Sequence, residues 1–426
     1  MRSSLLLLGL LLVSCGCGNK PGEDPAAAEY GKRIPLQSAV TKVQPMTGLV
    51  LWTDGKPRAD YIQLEYSYML YNEVCARQDV FDWDAMDKLL AGVASRGHQA
   101  VVRFRYTYPG YASAVPDYIK ALPDYEASWA QADGRSEPDT EYPDWRCAEL
   151  QRFHKEFHRR FAERYDRDPR LAFVETGFGH WAEYHVYDGL FIPGQTFPSA
   201  AFQKEFLSLM DQWFQDTPWL ISIDAADDSY GSPFQSTRSL LDLKFGNFDD
   251  SFMCEDWDDY NGECWSFFGK ERFRKGPAGG EFSYYSSYDQ KHCLDAKGMY
   301  GRTFEDLAAK VHLSFIIAND QPDKQTGARL KEASMALGYR FEIRDFRIRE
   351  GESAAVRIAN AGIAPIYRDA FVEVDGVRGT LNLRTLMPGD EAWIRIPCQA
   401  SSSSRPSIVC DHLVPGQEIQ YQADVR

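Results

Sequence analysis

Eight short apolar runs, each followed by a helical pattern or a long polar loop, fill the chain from Gly48 to Leu337. No other feature restricts the fold as much. The runs span 49–52, 61–66, 99–106, 171–174, 219–224, 248–254, 276–282 and 312–318. Their length and apolar content suit strands buried on both faces, as in parallel sheets. Between them, Met86, Leu89, Leu90 and Val93 share one helical face that stops at Gly97. Leu150, Phe153, Phe157 and Phe161 share a second face, and Phe202, Phe206, Leu209, Met210 and Trp213 a third. A last helix is expected over 329–337. This alternation predicts an α/β fold, a (β/α)8 barrel over 41–338. After Gly338 the period drops to two. Short alternating runs at 341–343, 355–358, 371–374, 380–383 and 392–396 are separated by Asp375-Gly376, Pro388-Gly389 and Pro415-Gly416. They predict a small antiparallel β-sandwich over 339–426.

The run that carries most chemistry is the fourth. Leu171 to Val174 leads into Glu175, Gly177, Gly179, His180, Trp181, Glu183 and His185. Carboxylates at the carboxyl end of a barrel strand are where such a fold does chemistry. Glu281 closes the seventh run. Strands four and seven face each other across a barrel axis, so Glu183 and Glu281, with Glu175 as a further candidate, can meet over one cavity. Cleavage of a glycosidic bond needs such a pair, one acid to protonate the leaving oxygen and one carboxylate on the other side of the sugar. Glu183, beside Trp181, is the expected proton donor, and Glu281 the nucleophile or base. Arg103 and Arg105, of which one is expected inside the barrel, would hold Glu281 ionised or bind an acidic sugar. Tyr111, His180, Trp181, His185, Asp224 and Trp257 complete the candidate substrate-binding set, with Trp52, Trp145 and Trp265 as further stacking aromatics. The loop 107–146 is long, lacks periodicity and is rich in aromatics, which points to function.

The segments 81–90, 96–110, 164–174, 177–185 and 279–281, above all Trp181-Ala182-Glu183-Tyr184-His185, resemble the DUF4832 family of barrel glycosidases with a C-terminal sandwich. The resemblance also extends to the large clan of barrel glycosidases with the acid on strand four and the nucleophile on strand seven. It implies a glycoside hydrolase and favours Glu183 over Glu175 as the acid. In that family Gly is the commoner residue at the place of Ala182.

The amino terminus reads as a bacterial lipoprotein signal: Met1-Arg2, an apolar run from Leu5, then Leu12-Val13-Ser14-Cys15. Cys15 is the expected lipidation site, residues 1–14 the signal peptide and 15–40 a flexible tether. The protein is therefore expected on the cell envelope, at the outer membrane, held by its lipid alone. A formal net charge of −15 argues against nucleic acid as a partner and leaves carbohydrate. No dinucleotide or P-loop signature is present, and no cofactor is expected. His154 and His158 have the wrong spacing around Glu156 for a zinc helix, no Cys-x-x-Cys pair occurs, and no metal site is expected. The acidic stretch 255–259 is a weaker candidate for calcium than for a solvated loop. Secretion permits disulfides, and Cys254–Cys264, Cys398–Cys410 and Cys75–Cys147 are the candidate pairs. A non-catalytic glycan-binding lipoprotein, a polysaccharide lyase and a surface assembly protein are the competing readings.

Overall fold

The computed structural model describes residues 25–53, 60–132 and 139–426. The signal peptide and Cys15 lie outside the described residues. Eight parallel strands close a barrel. In chain order they are Gly48–Trp52, Ile62–Leu70, Gln99–Arg105, Leu171–Thr176, Trp219–Ser222, Phe245–Phe252, Ala278–Phe282 and Phe315–Ile317. Each pairs with its sequence neighbours, and the last pairs with the first, Ile316 opposite Leu49. All eight runs are strands, with ends shifted by a few residues. The inner face carries Val50, Leu64, Tyr66, Val101, Phe173, Leu220, Phe248 and Phe315, which form one apolar body. The outer face packs under the helices, of which Ala148–Tyr165 is the longest.

The C-terminal unit is a two-sheet sandwich. One sheet is built from Phe341–Arg349, Ser353–Asn360, Glu391–Ile396 and Tyr421–Val425, the other from Ala370–Val374, Val377–Arg378 and Pro406–Cys410. The first sheet is mixed, because Tyr421–Val425 runs parallel to Phe341–Arg349. The expected strand at 380–383 is instead a tight turn. The Asn382 side chain accepts from the Arg384 N–H, and the Thr385 hydroxyl donates to the Asn382 carbonyl. Such local side-chain bonds compete with a strand ladder.

Two expectations need correction here. The part of the tether that is described is not a tether. Leu36–Ser38 adds to the first sheet beside Tyr421–Val425, and Lys32–Arg33 pairs with Phe341–Arg349. Ile34 and Leu36 are buried among sandwich residues, and Arg33 grips Asp345 through two hydrogen bonds. All seven described cysteines are free. Cys254 belongs to the apolar core under the barrel's last helices and Cys264 to that under its middle helices. Cys398 and Cys410 end or follow strands of different sheets. Sequence proximity therefore did not bring these thiols together. Cys75 and Cys147 share one core without bonding.

The sandwich sits against the amino-terminal ends of the barrel strands. Arg368, buried, donates to the Leu171 carbonyl at 2.8 Å and the Thr217 hydroxyl at 2.9 Å. Tyr367 donates to the Phe273 carbonyl, and Gln99 to that of His412. The carboxyl-terminal ends of the strands face the other way. If Leu36 is a core residue of the sandwich, Leu36→Ala should cost about 2–4 kcal/mol, read as a lower unfolding midpoint in calorimetry. A residue in a solvated tether would leave that midpoint unchanged.

Candidate functional site

The loop from Gly177 to His185 folds back on itself at the carboxyl end of strand four. The N–H groups of Phe178 and Gly179 both reach the Glu183 carbonyl, and His180 N–H reaches that of His185. A Cβ on Gly177 would collide with the Ala182 backbone, and one on Gly179 with His185. Only glycine permits so close a return. At the tip, Trp181 and Ala182 both have left-handed backbones, φ 54° and 61°, and Glu183 N–H closes the turn on the His180 carbonyl at 2.9 Å. A tight turn with two consecutive left-handed residues favours glycine or asparagine. This explains why Gly would be the easier residue at position 182. Trp181 N–H is bound by the Thr107 carbonyl, and its own carbonyl by Arg103 at 3.2 Å.

Arg103 is fully buried inside the barrel. Its Nε and Nη2 donate to Glu175 Oε2 at 2.8 and 2.6 Å, and its Nη1 to Asp250 Oδ2 at 2.7 Å. Its guanidinium lies 4.0 Å from the Phe248 ring centre. Strands three, four and six are thus joined by one cation. Residues two apart share a face of a strand. The expectation that only one arginine faces inward is therefore wrong. Arg105 follows Arg103 up the same face and lies over Tyr68 and Tyr108 at the rim.

Two carboxyls remain partly open above this ion pair. Glu183, whose side chain is 12% exposed, meets His185 Nε2 at 3.2 Å. Glu281, half-buried, ends the Gly279-Gly280-Glu281 run. A Cβ on Gly279 would enter the Phe315 ring, and one on Gly280 the Asp249 backbone, so the two glycines let strand seven lie close where it delivers Glu281. Burial pushes Glu183 up to about 7; Asp250 adds to the rise and His185 opposes it. Burial also lifts Glu281 well above the ordinary carboxylate range, with Asp250 raising it further, Arg103 opposing, and Glu183 and Glu175 raising it again. Glu183 is thus among the charges that resist the ionisation of Glu281. Glu175 is pushed up to about 7 by burial against the pull of Arg103. It is walled in by the arginine and has no exposure at its side chain. His185 stacks on Tyr187 at 3.9 Å, and its Nδ1 accepts the Tyr187 N–H. Burial disfavours its cation, yet Glu183 outweighs this and its pKa is raised.

Other expected residues divide in two. Asp224, buried and capped by the Ser222 hydroxyl at 2.6 Å, faces the site. Glu183, His185 and Asp224 each offer a ligand atom within 4.8 Å of the others, a set that could hold a cation. Trp181 is half-buried at the mouth, and Tyr111 is 62% exposed beside Tyr108. His180 is buried behind the turn against the Tyr142 hydroxyl at 3.1 Å, where it orients the loop. Trp257 and Trp145 are fully buried and cannot stack on a ligand. The indoles of Trp257 and Trp265 donate to Asp249 at 2.8 and 3.0 Å, pinning helix Tyr260–Phe268 to strand six. A cavity of about 440 Å³ beneath that helix, lined by Trp257, Phe273 and His312, lies apart from the carboxylates. Asp258 pairs with Arg302 and Lys310, as a solvated acidic loop does.

The sequence did not single out Asp250 or Tyr68. The signal for Asp250 was an acid two residues after Phe248 inside a run read as a strand. Tyr68 lies beyond the expected end of strand two, which continues to Leu70. Tyr284 and Tyr285, 51% and 67% exposed, follow Glu281. Glu281 acts on the hydroxyl of Tyr284, and Asp224 and Glu183 on that of Tyr285.

The fold is similar to solved structures of several glycoside hydrolases. One is the catalytic domain of β-amylase from Paenibacillus polymyxa, 10% identical at a TM-score of 0.43, covering 69% of this chain and 99% of that one. Another is an α-galactosidase from Thermus thermophilus, 11% identical at 0.38, covering 75% and 66%. A third is the trimodular endo-β-1,4-glucanase B of Bacillus halodurans, 8% identical at 0.38, covering 90% and 78%. At these identities the likeness is one of fold. No family model matches the chain, and no curated protein matches it.

Removing one partner of a buried ion pair strands the other. Glu175→Ala, which takes the acceptor from Arg103 whatever its protonation state, should therefore cost about 3 kcal/mol in denaturant unfolding, whereas Glu183→Ala, at the open edge, should cost under about 1 kcal/mol. Equal costs would contradict the division drawn here between the walled and the open carboxyl.

Proposed function

We propose that this protein is a glycoside hydrolase in which Glu183 donates the proton to the leaving oxygen and Glu281 is its partner across the sugar. One observation carries the reading. Two half-buried carboxyls, one in the loop after strand four and one on strand seven, stand at the end of the barrel away from the sandwich, and burial raises both, with Asp250 raising each further. Two carboxyls in one partly dry site can supply an acid and its partner base, as two-carboxylate cleavage requires. His185 is placed to steady Glu183 when it has given its proton away. Arg103, held by Glu175 and Asp250, lowers the cost of ionising Glu281. The reading includes kinship with the DUF4832 family, a lipid on Cys15, and a place on the bacterial envelope, with a polysaccharide or oligosaccharide as substrate.

A reducing-end screen over a glycan panel tests this. Glu183→Gln and Glu281→Gln should each lower turnover by about 10²–10⁴-fold with the fold intact by circular dichroism. Turnover retained in either variant would remove that residue from the mechanism. Saturable binding with no new reducing ends would mark a glycan-binding protein, and an unsaturated product absorbing in the ultraviolet would mark a lyase. The acid form of Glu183 is the working one, so kcat/KM should fall as pH rises through about 7. The fold moves the same way. Folding raises Glu183 and Glu175, so their contribution to stability is full below the ordinary carboxylate range and is lost as pH rises through about 7. Circular dichroism over the same pH range separates the two effects.

A further inference from the structure

The arginines buried in this protein other than Arg105 each hold at least one acceptor, although Arg272, Arg329 and Arg368 also carry a buried nitrogen without one. Arg103 is taken by Glu175 and Asp250. Arg272 donates to the carbonyls of Leu241 and Leu243, and Arg368 to Leu171 and Thr217. Arg347 and Arg329 meet Asp345 and Glu305. Arg105 differs from these in making no hydrogen bond to any described residue. It is half-buried at the carboxyl end of strand three and has no carboxylate within salt-bridge distance, and its Nε is buried without a hydrogen-bond acceptor. Its guanidinium is held instead by rings, 4.6 Å from the centre of Tyr108 and 5.6 Å from that of Tyr68.

Those rings also touch the site. Tyr108 stands edge-on to Trp181 at 6.1 Å, the residue two before Glu183. Tyr68 feels the charges of Glu183 and Glu281, and lies 5.8 Å from the Arg103 guanidinium. Arg105 is therefore one aromatic layer from the candidate cleavage point, fixed in orientation, with its hydrogen-bonding fork unspent. A guanidinium stripped of part of its water and denied a partner is costly, unless a ligand completes it. The surrounding protein is acidic, at a formal net charge of −15, so an anionic ligand needs a dedicated cation at the mouth.

We propose that Arg105 is the subsite for an anionic group on the sugar, a uronate carboxylate or a sulfate ester, and that the substrate is an acidic glycan. This rests on the hydrolase reading and deepens it. The planar fork matches either anion in a two-point contact, and Tyr108 and Trp181 offer faces for the ring that bears it.

The test pairs acidic glycans with neutral ones. Reducing-end release and binding by calorimetry would be measured on polygalacturonate, alginate and chondroitin sulfate, with galactan, mannan and starch as the neutral arm. The proposal expects an acidic glycan to be cleaved or bound, and the carboxylated and sulfated polymers distinguish the two anions. Arg105→Gln should raise KM or Kd for the acidic glycan about 10- to 100-fold while kcat changes little. Arg105→Lys, which keeps the charge and loses the fork, should fall between. Added salt should weaken binding of the wild type and not of Arg105→Gln. Cleavage confined to neutral glycans, indifferent to Arg105→Gln, would overturn the subsite and leave the hydrolase standing. Acidic glycan bound through Arg105 but never cleaved would uphold the subsite and end the hydrolase. An acidic glycan cleaved equally well by wild type and Arg105→Gln would overturn the subsite, as would a failure to bind any acidic glycan.

Discussion

The guanidinium of Arg103, buried inside the barrel, holds the site together. Putting a cation there costs several kcal/mol of lost hydration, which only well-placed anions offset. Glu175 and Asp250 meet that demand from strands four and six, and the carbonyl of Trp181 takes a further hydrogen bond. The arginine thereby sets three strands and one loop in a single register. The left-handed turn at Trp181 and Ala182 is anchored at its base, so Glu183 emerges at one place only. Strain at such a turn persists when its surroundings over-determine it, and here the two glycines, Thr107 and Arg103 do so.

The same arithmetic of charge makes the open carboxyls basic. Glu175, Glu183, Asp250 and Glu281 converge on one arginine and one histidine. Arg103 is consumed by two of the four. Of the remaining two, Glu183 meets His185, and both lie in a desolvated space where Asp250 resists their ionisation. Burial is the first cause of the rise at both glutamates, and the surplus of anions over cations adds to it. It also gives Glu175 a clear place. It is not a third catalytic candidate but the anion that allows Arg103 to exist there.

Much of this was legible in the sequence and some was not, for definite reasons. The barrel was readable because each strand is an apolar run that no helical period can explain, and the sandwich because the period changes at Gly338. Glu183 and Glu281 were readable because acids at strand ends followed glycines. Asp250 was passed over although it falls inside the run read as the sixth strand: two residues after Phe248, it shares that residue's inward face and reaches Arg103. The tryptophans misled for a chemical reason. An indole on a loop suggests a sugar platform, but its N–H must be satisfied if it is buried, and Asp249 accepts two of them. The segment 32–38 read as a linker because it closes a stretch rich in Gly, Pro and Ala. Its place in the sheet depends on Tyr421–Val425, almost four hundred residues away, and no local pattern reports that pairing.

The position of the sandwich also bears on chemistry. Arg368 and Tyr367 seat it against the amino-terminal ends of strands four, five and seven, so the interior of the barrel is covered at that end. The apolar cluster that fills the barrel core continues without a break into the sandwich, from Phe173 and Phe315 to Phe341 and Ile343. Among the described residues, the approach to the carboxyls is from the strand ends where Tyr111, Trp181, Tyr284 and Tyr285 stand. A dry floor keeps the dielectric low beneath Glu183 and Glu281, and that is the condition under which burial raises both carboxyls. The C-terminal domain contributes no side chain to the site, yet by closing the far end it helps hold the proton there.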